Sequence, residues 1–196
     1  ERDRTSVDFH LVAIELGVVW EGADGGYYSP FGIGLSVVAL PVYAVIRVLR
    51  VVWPVPEQFS QAFVALLSPV FLALMAVAVY RLARRLRAGV SISLVVGLGA
   101  VFGTFVLIYG RAFWSETLAA LLVTAAIERT LSRAPVAAGA AAAGAALTRP
   151  QLFLFAPLLL WGLWRQGGVR DAVQALVPLG VATVIQVWYN VVRWGD

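Results

Sequence analysis

The feature that most constrains this chain is a stretch without charge. Residues 62–80 are 19 consecutive residues with no charged side chain. An α-helix rises 1.5 Å per residue and the hydrocarbon core of a bilayer is about 30 Å thick, so about 20 apolar residues are needed to cross it. The stretch therefore predicts a membrane-spanning helix.

The composition places the whole chain in the same class. Of its 196 residues, 61% are hydrophobic and 13% are charged, whereas a soluble domain carries about 25% charged residues. The chain lacks the polar surface to cover a globule, so lipid is expected to solvate much of it. It has no cysteine, which excludes disulfides and thiolate metal sites. Its 15 basic residues are all arginine and are scattered at predicted loops, so we expect no nucleic-acid partner.

Further apolar stretches raise the predicted number of spans to about six. They are 90–110, about 114–128, about 134–148, 150–164 and 172–192. Gly99 and Gly103 have the small-xxx-small spacing that allows close helix packing. The alanine-rich stretch 134–148 and the other short spans are expected inside the bundle. The predicted fold class is an all-α, polytopic membrane helical bundle.

Arginine placement predicts how the spans are oriented. The densest cluster lies within 81–89, which should therefore be cytoplasmic. Counting spans places two other basic segments, 128–133 and 165–170, on the same side. The opposite, outer side receives the segments 1–30, 110–115, 148–151 and 193–196.

The amino-terminal part is more polar and forms a separate predicted region. Apolar residues at helical spacing in 9–16 predict an amphipathic helix near an interface, and 22–26 predicts a turn. An apolar stretch, 31–46, is interrupted by Gly32, Gly34 and Pro41, and Arg47 and Arg50 follow it. These interruptions favour a juxtamembrane or re-entrant helix that begins and ends outside. We therefore divide the chain into an outer-loop region, 1–61, and a transmembrane bundle, 62–196.

Several outer-side residues are candidates for chemistry. Asp3 and Asp8 are suited to act as a general base or as ligands of Mg²⁺ or Mn²⁺; the alternative is that they are solvated loop carboxylates. His10 is more often a satisfied interfacial histidine than a ligand. Asn190 and Arg193 are interpreted as interface anchors.

Two short segments carry the other candidates. In 109–117, Ser115 can cap the following helix and Glu116 can meet its dipole, while Arg111 fits an interfacial belt. The alternative is that Arg111 and Glu116 grip a phosphate and order a metal or hydroxyl. In 148–150, Arg149 either snorkels to water or binds an anion, for which its planar fork is suited.

The order of these motifs resembles the GT-C superfamily of integral-membrane glycosyltransferases, in particular the protein mannosyltransferase and aminoarabinose-transferase-like group. The motifs are Tyr27-Tyr-Ser-Pro-Phe-Gly-Ile-Gly-Leu-Ser36, Ala39-Leu-Pro-Val-Tyr43, Tyr80-Arg-Leu-Ala-Arg-Arg85, Tyr109-Gly-Arg111, Trp114-Ser-Glu116, Leu147-Thr-Arg-Pro150 and Asn190-Val-Val-Arg-Trp-Gly195. The resemblance covers nearly the whole chain in order. Because the chain starts at Glu1 without methionine and ends directly after an apolar stretch, we expect a fragment that lacks the family's first and later spans.

The resemblance implies inverting sugar transfer from a polyprenyl-phosphate donor. The catalytic residues would be Asp3 as base, Asp8 as second choice and Glu116 as the second outer-loop acid. Arg111 and Arg149 would lie near the lipid phosphate, and Tyr27 and Tyr28 would belong to the substrate-binding set.

The implied setting is a multi-pass protein of the bacterial plasma (inner) membrane, in contact with membrane lipid. The acceptor would be a glycan, lipid or protein, and a divalent cation, Mg²⁺ or Mn²⁺, is left open as cofactor. The alternative function is a non-catalytic, multi-span scaffold subunit of a larger membrane complex. A carrier of lipid-linked sugars is disfavoured by the uncharged spans.

Overall fold

A computed structural model describes residues 20–21, 25, 27–28, 32–53, 62–110 and 114–195. Its first described feature is a minimal antiparallel hairpin, in which β1 (Trp20–Glu21) pairs with β2 (Tyr27–Tyr28). The pairing flanks the predicted turn at 22–26, of which only Gly25 is described, with φ 75°. The predicted amphipathic helix at 9–16 lies outside the described residues.

The rest of the described chain is helical, as predicted. The elements are α1 (Gly34–Val52), α2 (Leu67–Arg85), α3 (Val90–Phe102), α4 (Val106–Tyr109), α5 (Ser115–Leu131), α6 (Pro135–Thr148), a 3₁₀ helix (Pro150–Phe155), α7 (Ala156–Gly167) and α8 (Val169–Trp194). A further helical turn extends α2 back to Ala62.

Among the described residues, three helices are long and apolar enough to cross a membrane. They are Gly34–Val52, Ala62–Arg85 and Val169–Trp194. Large apolar side chains cover the outer surface, for example Val51, Val95 and Val184, which are 87%, 71% and 69% exposed. An apolar outer surface of this kind is expected where lipid is the neighbour. The finding is consistent with a membrane protein, and the number of six spans stays a prediction.

The predicted interruption of the first apolar stretch at Pro41 is wrong. Pro41 lies inside α1, which is continuous over 19 residues. Proline lacks the backbone N–H that would bond to the carbonyl one turn earlier, but apolar helices tolerate this loss when neighbouring groups adjust. A re-entrant break is therefore absent from 34–52, and this helix meets the length required of a span. Its juxtamembrane placement stays a prediction.

The predicted span 90–110 is also not one helix. α3 ends at Phe102, and Gly103 donates its N–H to the carbonyl of Gly99 at 2.8 Å. A separate single turn, α4, follows at Val106–Tyr109. Two glycines, at 99 and 103, weaken the helix where it stops, since glycine costs about 1 kcal/mol relative to alanine in a helix.

The alanine-rich α6 forms the centre of the bundle and contacts both α5 and α8. Its alanines 138, 142, 145 and 146 are at most 3% exposed, which confirms the prediction that this short helix packs inside. At Gly139 the backbones come so close that an added Cβ would lie against the carbonyl oxygen of Ala175 in α8. Small residues thus allow α6 and α8 to approach closely.

The glycine that packs α3 is Gly97, not the predicted pair. An added Cβ at Gly97 would lie 2.9 Å from the carbonyl oxygen of Ala76 in α2. At Gly99, by contrast, nothing described lies within 4 Å, and at Gly103 the neighbour is Gly99 of the same helix. Two residues turn a helix by about 200°, so Gly99 faces away from α2.

Contacts at the helix ends define two ends of the bundle. Arg85 pairs with Glu128, and a Cβ added at Gly162 would lie 3.6 Å from the Thr130 methyl group. These contacts place the predicted basic segments 81–89, 128–133 and 165–170 at one end, which we call the arginine end. Helices α5 and α6 are antiparallel and short-linked, so the start of α5 and the end of α6 meet at the opposite end. Which end is cytoplasmic stays a prediction.

Candidate functional site

An ion pair joins two of the predicted site residues at the end opposite the arginine end. Arg149 Nη1 donates to Glu116 Oε1 at 2.6 Å, although the residues are 33 positions apart in sequence. Each side chain is about a quarter exposed, at 24%. The short distance is typical of a charge-assisted hydrogen bond. The structure thus brings together Glu116 and Arg149, as the shared-side prediction required.

Glu116 is positioned by the start of α5. The helix begins at Ser115, after an extended Trp114, so Glu116 lies in the first turn as predicted. The predicted cap is wrong: Ser115 is the first helical residue, and its hydroxyl donates to Glu116 Oε2 at 3.4 Å instead. The carboxylate is therefore held from one side by Ser115 and from the other by Arg149.

Arg149 is positioned by the junction between α6 and the 3₁₀ helix. Its backbone is extended, with φ −137° and ψ 104°, and its N–H still donates to the carbonyl of Ala145 at 2.8 Å. Pro150 then starts the 3₁₀ helix, a place in a first helical turn that suits its fixed φ. Arg149 thus lies directly between two helical elements, which fix the position from which its side chain extends.

The ion pair lies at the mouth of an open groove of about 410 Å³. The polar side chains that line it are Glu116, Arg149, Gln151 and Thr124. The rest of its lining is apolar and mostly small, and consists of Ala119, Ala120, Val123 and Leu152. One side of the groove thus follows α5 from a charged mouth toward the middle of the helix. This arrangement suits a ligand with an anionic head and an apolar chain.

The start of α1 packs against the same end of α6. A Cβ added at Gly32 or Gly34 would meet the backbone of Leu147 and Thr148. Only glycine permits this approach, because any side chain would occupy the space of the α6 backbone. Tyr28 is four positions before Gly32, so their Cα atoms are at most about 14 Å apart.

The other predicted site residues stand as follows. Asp3, Asp8, His10 and Arg111 lie outside the described residues. For Tyr27 and Tyr28 the structure gives the backbone pairing in β2. Their contribution to the site stays a prediction.

The metal hypothesis also stays open. Within the described ranges, no group of three or more His, Cys, Asp or Glu side chains lies close enough to hold a metal ion. The predicted acidic ligands at positions 3 and 8 are outside those ranges.

The arginine end holds a second carboxylate that sequence reasoning did not single out. Glu128 is 4% exposed. Its Oε1 accepts a hydrogen bond from Arg85 Nε at 2.5 Å, and its Oε2 forms an ion pair with Arg129 Nε at 3.2 Å. A buried glutamate requires paired cations, and the nearby arginines at 85 and 129 were the available signal. This cluster joins α2 to α5 and lies at the opposite end from the groove.

Comparison of the chain with protein-family models, with curated proteins and with solved structures finds no match. The geometry of the described residues is therefore the ground for the functional argument.

Proposed function

We propose that this protein is a membrane glycosyltransferase, or the membrane core of one, that transfers a sugar from a polyprenyl-phosphate donor to an acceptor hydroxyl or amine at the outer face. The observation that carries the proposal is the groove with the Glu116–Arg149 pair at its mouth. A polyprenyl-phosphate has the matching chemistry, an anionic head on an apolar chain. The resemblance to the GT-C superfamily supports the same class.

Arg149 would bind the donor phosphate. A guanidinium has five N–H donors in a planar fork, so it can hold a carboxylate and a phosphate at once. Glu116 would act by positioning, because its 2.6 Å hydrogen bond fixes the direction of the fork. Arginine also suits a leaving phosphate because its charge stays constant at any working pH.

In the proposed reaction, the acceptor oxygen or nitrogen attacks the anomeric carbon. The bond between that carbon and the phosphate oxygen breaks, and the polyprenyl phosphate leaves with the electron pair. A carboxylate takes the acceptor proton, and Asp3, followed by Asp8, is the predicted base. Arg149 would stabilise the negative charge that develops on the phosphate.

The test is sugar transfer by the protein in lipid nanodiscs, with labelled polyprenyl-phosphate mannose, arabinose or glucose and candidate acceptors. A preorganised donor at a developing charge is worth about 3–4 kcal/mol, so Arg149→Ala should lower turnover about 100-fold or more. The matched control is Arg170→Ala, which removes an exposed arginine at the arginine end. Turnover of that control should stay at the wild-type level.

A double-mutant cycle tests the positioning role of Glu116. If Glu116 acts through Arg149, adding Glu116→Gln to Arg149→Ala should cause little further loss, since the two residues form one unit. Full turnover in Arg149→Ala would reject the phosphate assignment. Absence of transfer from every donor, together with stoichiometric co-purification of other membrane proteins, would support the scaffold instead.

A further inference from the structure

The inward face of α8 changes from apolar to polar along its length. Ala175, Leu179 and Ala182 recur at helical spacing and belong to the buried core. The same stripe continues with Gln186, Asn190 and Arg193. Of these, Gln186 is 6% and Arg193 2% exposed. Buried amide and guanidinium groups in a helix of this apolarity are costly unless they have a use or a partner.

Gln186 keeps one polar atom without a hydrogen bond. Its Nε2 donates to Asn190 Oδ1 at 3.0 Å, while its Oε1 is buried and has no hydrogen-bond partner among the described residues. Turning both amides around would only exchange which polar atom of Gln186 lacks a partner, and turning Gln186 alone would set two acceptor oxygens against each other. Leaving such an atom unsatisfied costs about 1–3 kcal/mol, so the position is suited to a ligand.

Aromatic rings frame the end of the polar stripe. The Arg193 guanidinium lies 4.6 Å from the ring centre of Tyr189 and 4.7 Å from that of Trp194. Both distances are within the range of cation–π attraction. The amides of Gln186 and Asn190 thus lie about two turns and one turn before an arginine that two aromatic rings contact, and these side chains together offer several hydrogen-bonding groups.

The polar stripe lies at the same end as the Glu116–Arg149 pair. Helices α6 and α8 both start at the arginine end and touch where Gly139 meets Ala175. At 1.5 Å per residue, Thr148 is about 14 Å further along α6 and Gln186 about 17 Å further along α8. Gln186 is therefore level with Arg149 along the bundle, and Asn190 and Arg193 lie beyond it.

We propose that Gln186 and Asn190 form a binding site for an uncharged, hydroxyl-rich group, and that Arg193, held against two aromatic rings, bounds this site on one side. On the function proposed above, on which this inference rests, that group is the sugar of the lipid-linked donor. The charged pair holds the phosphate, whereas neutral amides exchange hydrogen bonds with sugar hydroxyls. The two halves of the donor would thus be recognised by different helices.

The experiment compares two lipids on the protein in nanodiscs: a polyprenyl-phosphate sugar and the same polyprenyl phosphate without sugar. Gln186→Leu should weaken binding of the sugar-bearing lipid about 10-fold, since one or two hydrogen bonds are lost. Binding of the sugar-free lipid should stay within twofold of wild type. Asn190→Leu, which removes the group that holds the Gln186 amide, should follow the same pattern with a smaller loss.

The matched control is Gln174→Leu, which changes the same residue type on the same helix near the arginine end and should leave both affinities unchanged. Melting temperatures exclude misfolding, and Gln186→Leu should melt close to wild type, because it removes an unsatisfied oxygen and one hydrogen bond together. Equal weakening of both lipids, or of neither, would overturn the inference, while binding of the sugar-free lipid by the wild-type protein would still support the phosphate site. If wild-type protein binds neither lipid, the proposed function fails and the inference fails with it.

Discussion

The close approach of α6 and α8 at Gly139 makes a quantitative prediction. In Gly139→Ala, the new Cβ would lie 2.7 Å from the Cα and 2.9 Å from the carbonyl carbon of Ala175. Carbon atoms pack best at about 3.5–4.0 Å. The opposing atoms are backbone, so they cannot rotate away, and α8 must shift by roughly 1 Å.

The cost follows from what the shift does to the core. A radial gap of that size forfeits a quarter to a half of each contact's attraction, and overpacking typically costs about 1–3 kcal/mol. Because backbone atoms must yield, we take the upper value of about 3 kcal/mol. Alanine gains about 1 kcal/mol over glycine in helix propensity, which leaves a net destabilisation of roughly 2 kcal/mol.

The assay is thermal unfolding in one detergent or nanodisc, with Gly180→Ala as matched control. Gly180 is in α8, and no described atom lies within 4 Å of its added Cβ, so the control should show only the propensity gain. For a chain of this size, 1 kcal/mol changes Tm by about 2–4 °C. Gly139→Ala should therefore melt about 4–8 °C below wild type, and Gly180→Ala about 2–4 °C above it. Equal Tm values for the two variants would refute the α6–α8 contact.

Three further stability predictions use the same unfolding assay. Arg87 has φ 66°, a left-handed backbone conformation that strains a residue with a side chain, so Arg87→Gly should raise stability by about 1 kcal/mol. Arg81→Gly, inside α2, should lower stability by a similar amount. A change in the same direction for both variants would contradict backbone strain at Arg87. Glu128→Gln should lower the free energy of unfolding by about 1–2 kcal/mol, which is less than for a fully buried ion pair because Arg85 is 41% exposed. The loss should be smaller in a protein that already carries Arg85→Gln. Thr117 is fully buried with no hydrogen-bond partner for Oγ1 in the described part of the chain, so Thr117→Val should gain about 1 kcal/mol; a loss would indicate a bound water or ligand.

Sequence patterns predicted features that depend on composition and short spacing. The burial of α6 followed from its alanines, because helices without bulky side chains can approach from several sides. The acidic first turn of α5 followed from Glu116. The common end of the basic segments followed from counting spans between arginines.

Features that depend on which face meets which neighbour were not predictable in this way. The small-xxx-small spacing identified Gly99 and Gly103, but the glycine against α2 is Gly97, since the partner helix decides which face is used. The buried side chain of Arg193 was likewise not foreseen. An arginine in the last turn of a helix, after aromatic residues, has the same sequence pattern whether its side chain reaches water or packs onto Tyr189.

The length of α6 has a consequence for the environment of the ion pair. Its 14 residues span about 21 Å, roughly 9 Å less than the hydrocarbon thickness of a typical bilayer. On the proposed topology, the bilayer must thin around the bundle at this end, or Arg149 must lie beneath the headgroups. Lipids with shorter acyl chains would then ease the arrival of an anionic headgroup at the guanidinium, so membrane thickness itself would tune the rate of the proposed sugar transfer.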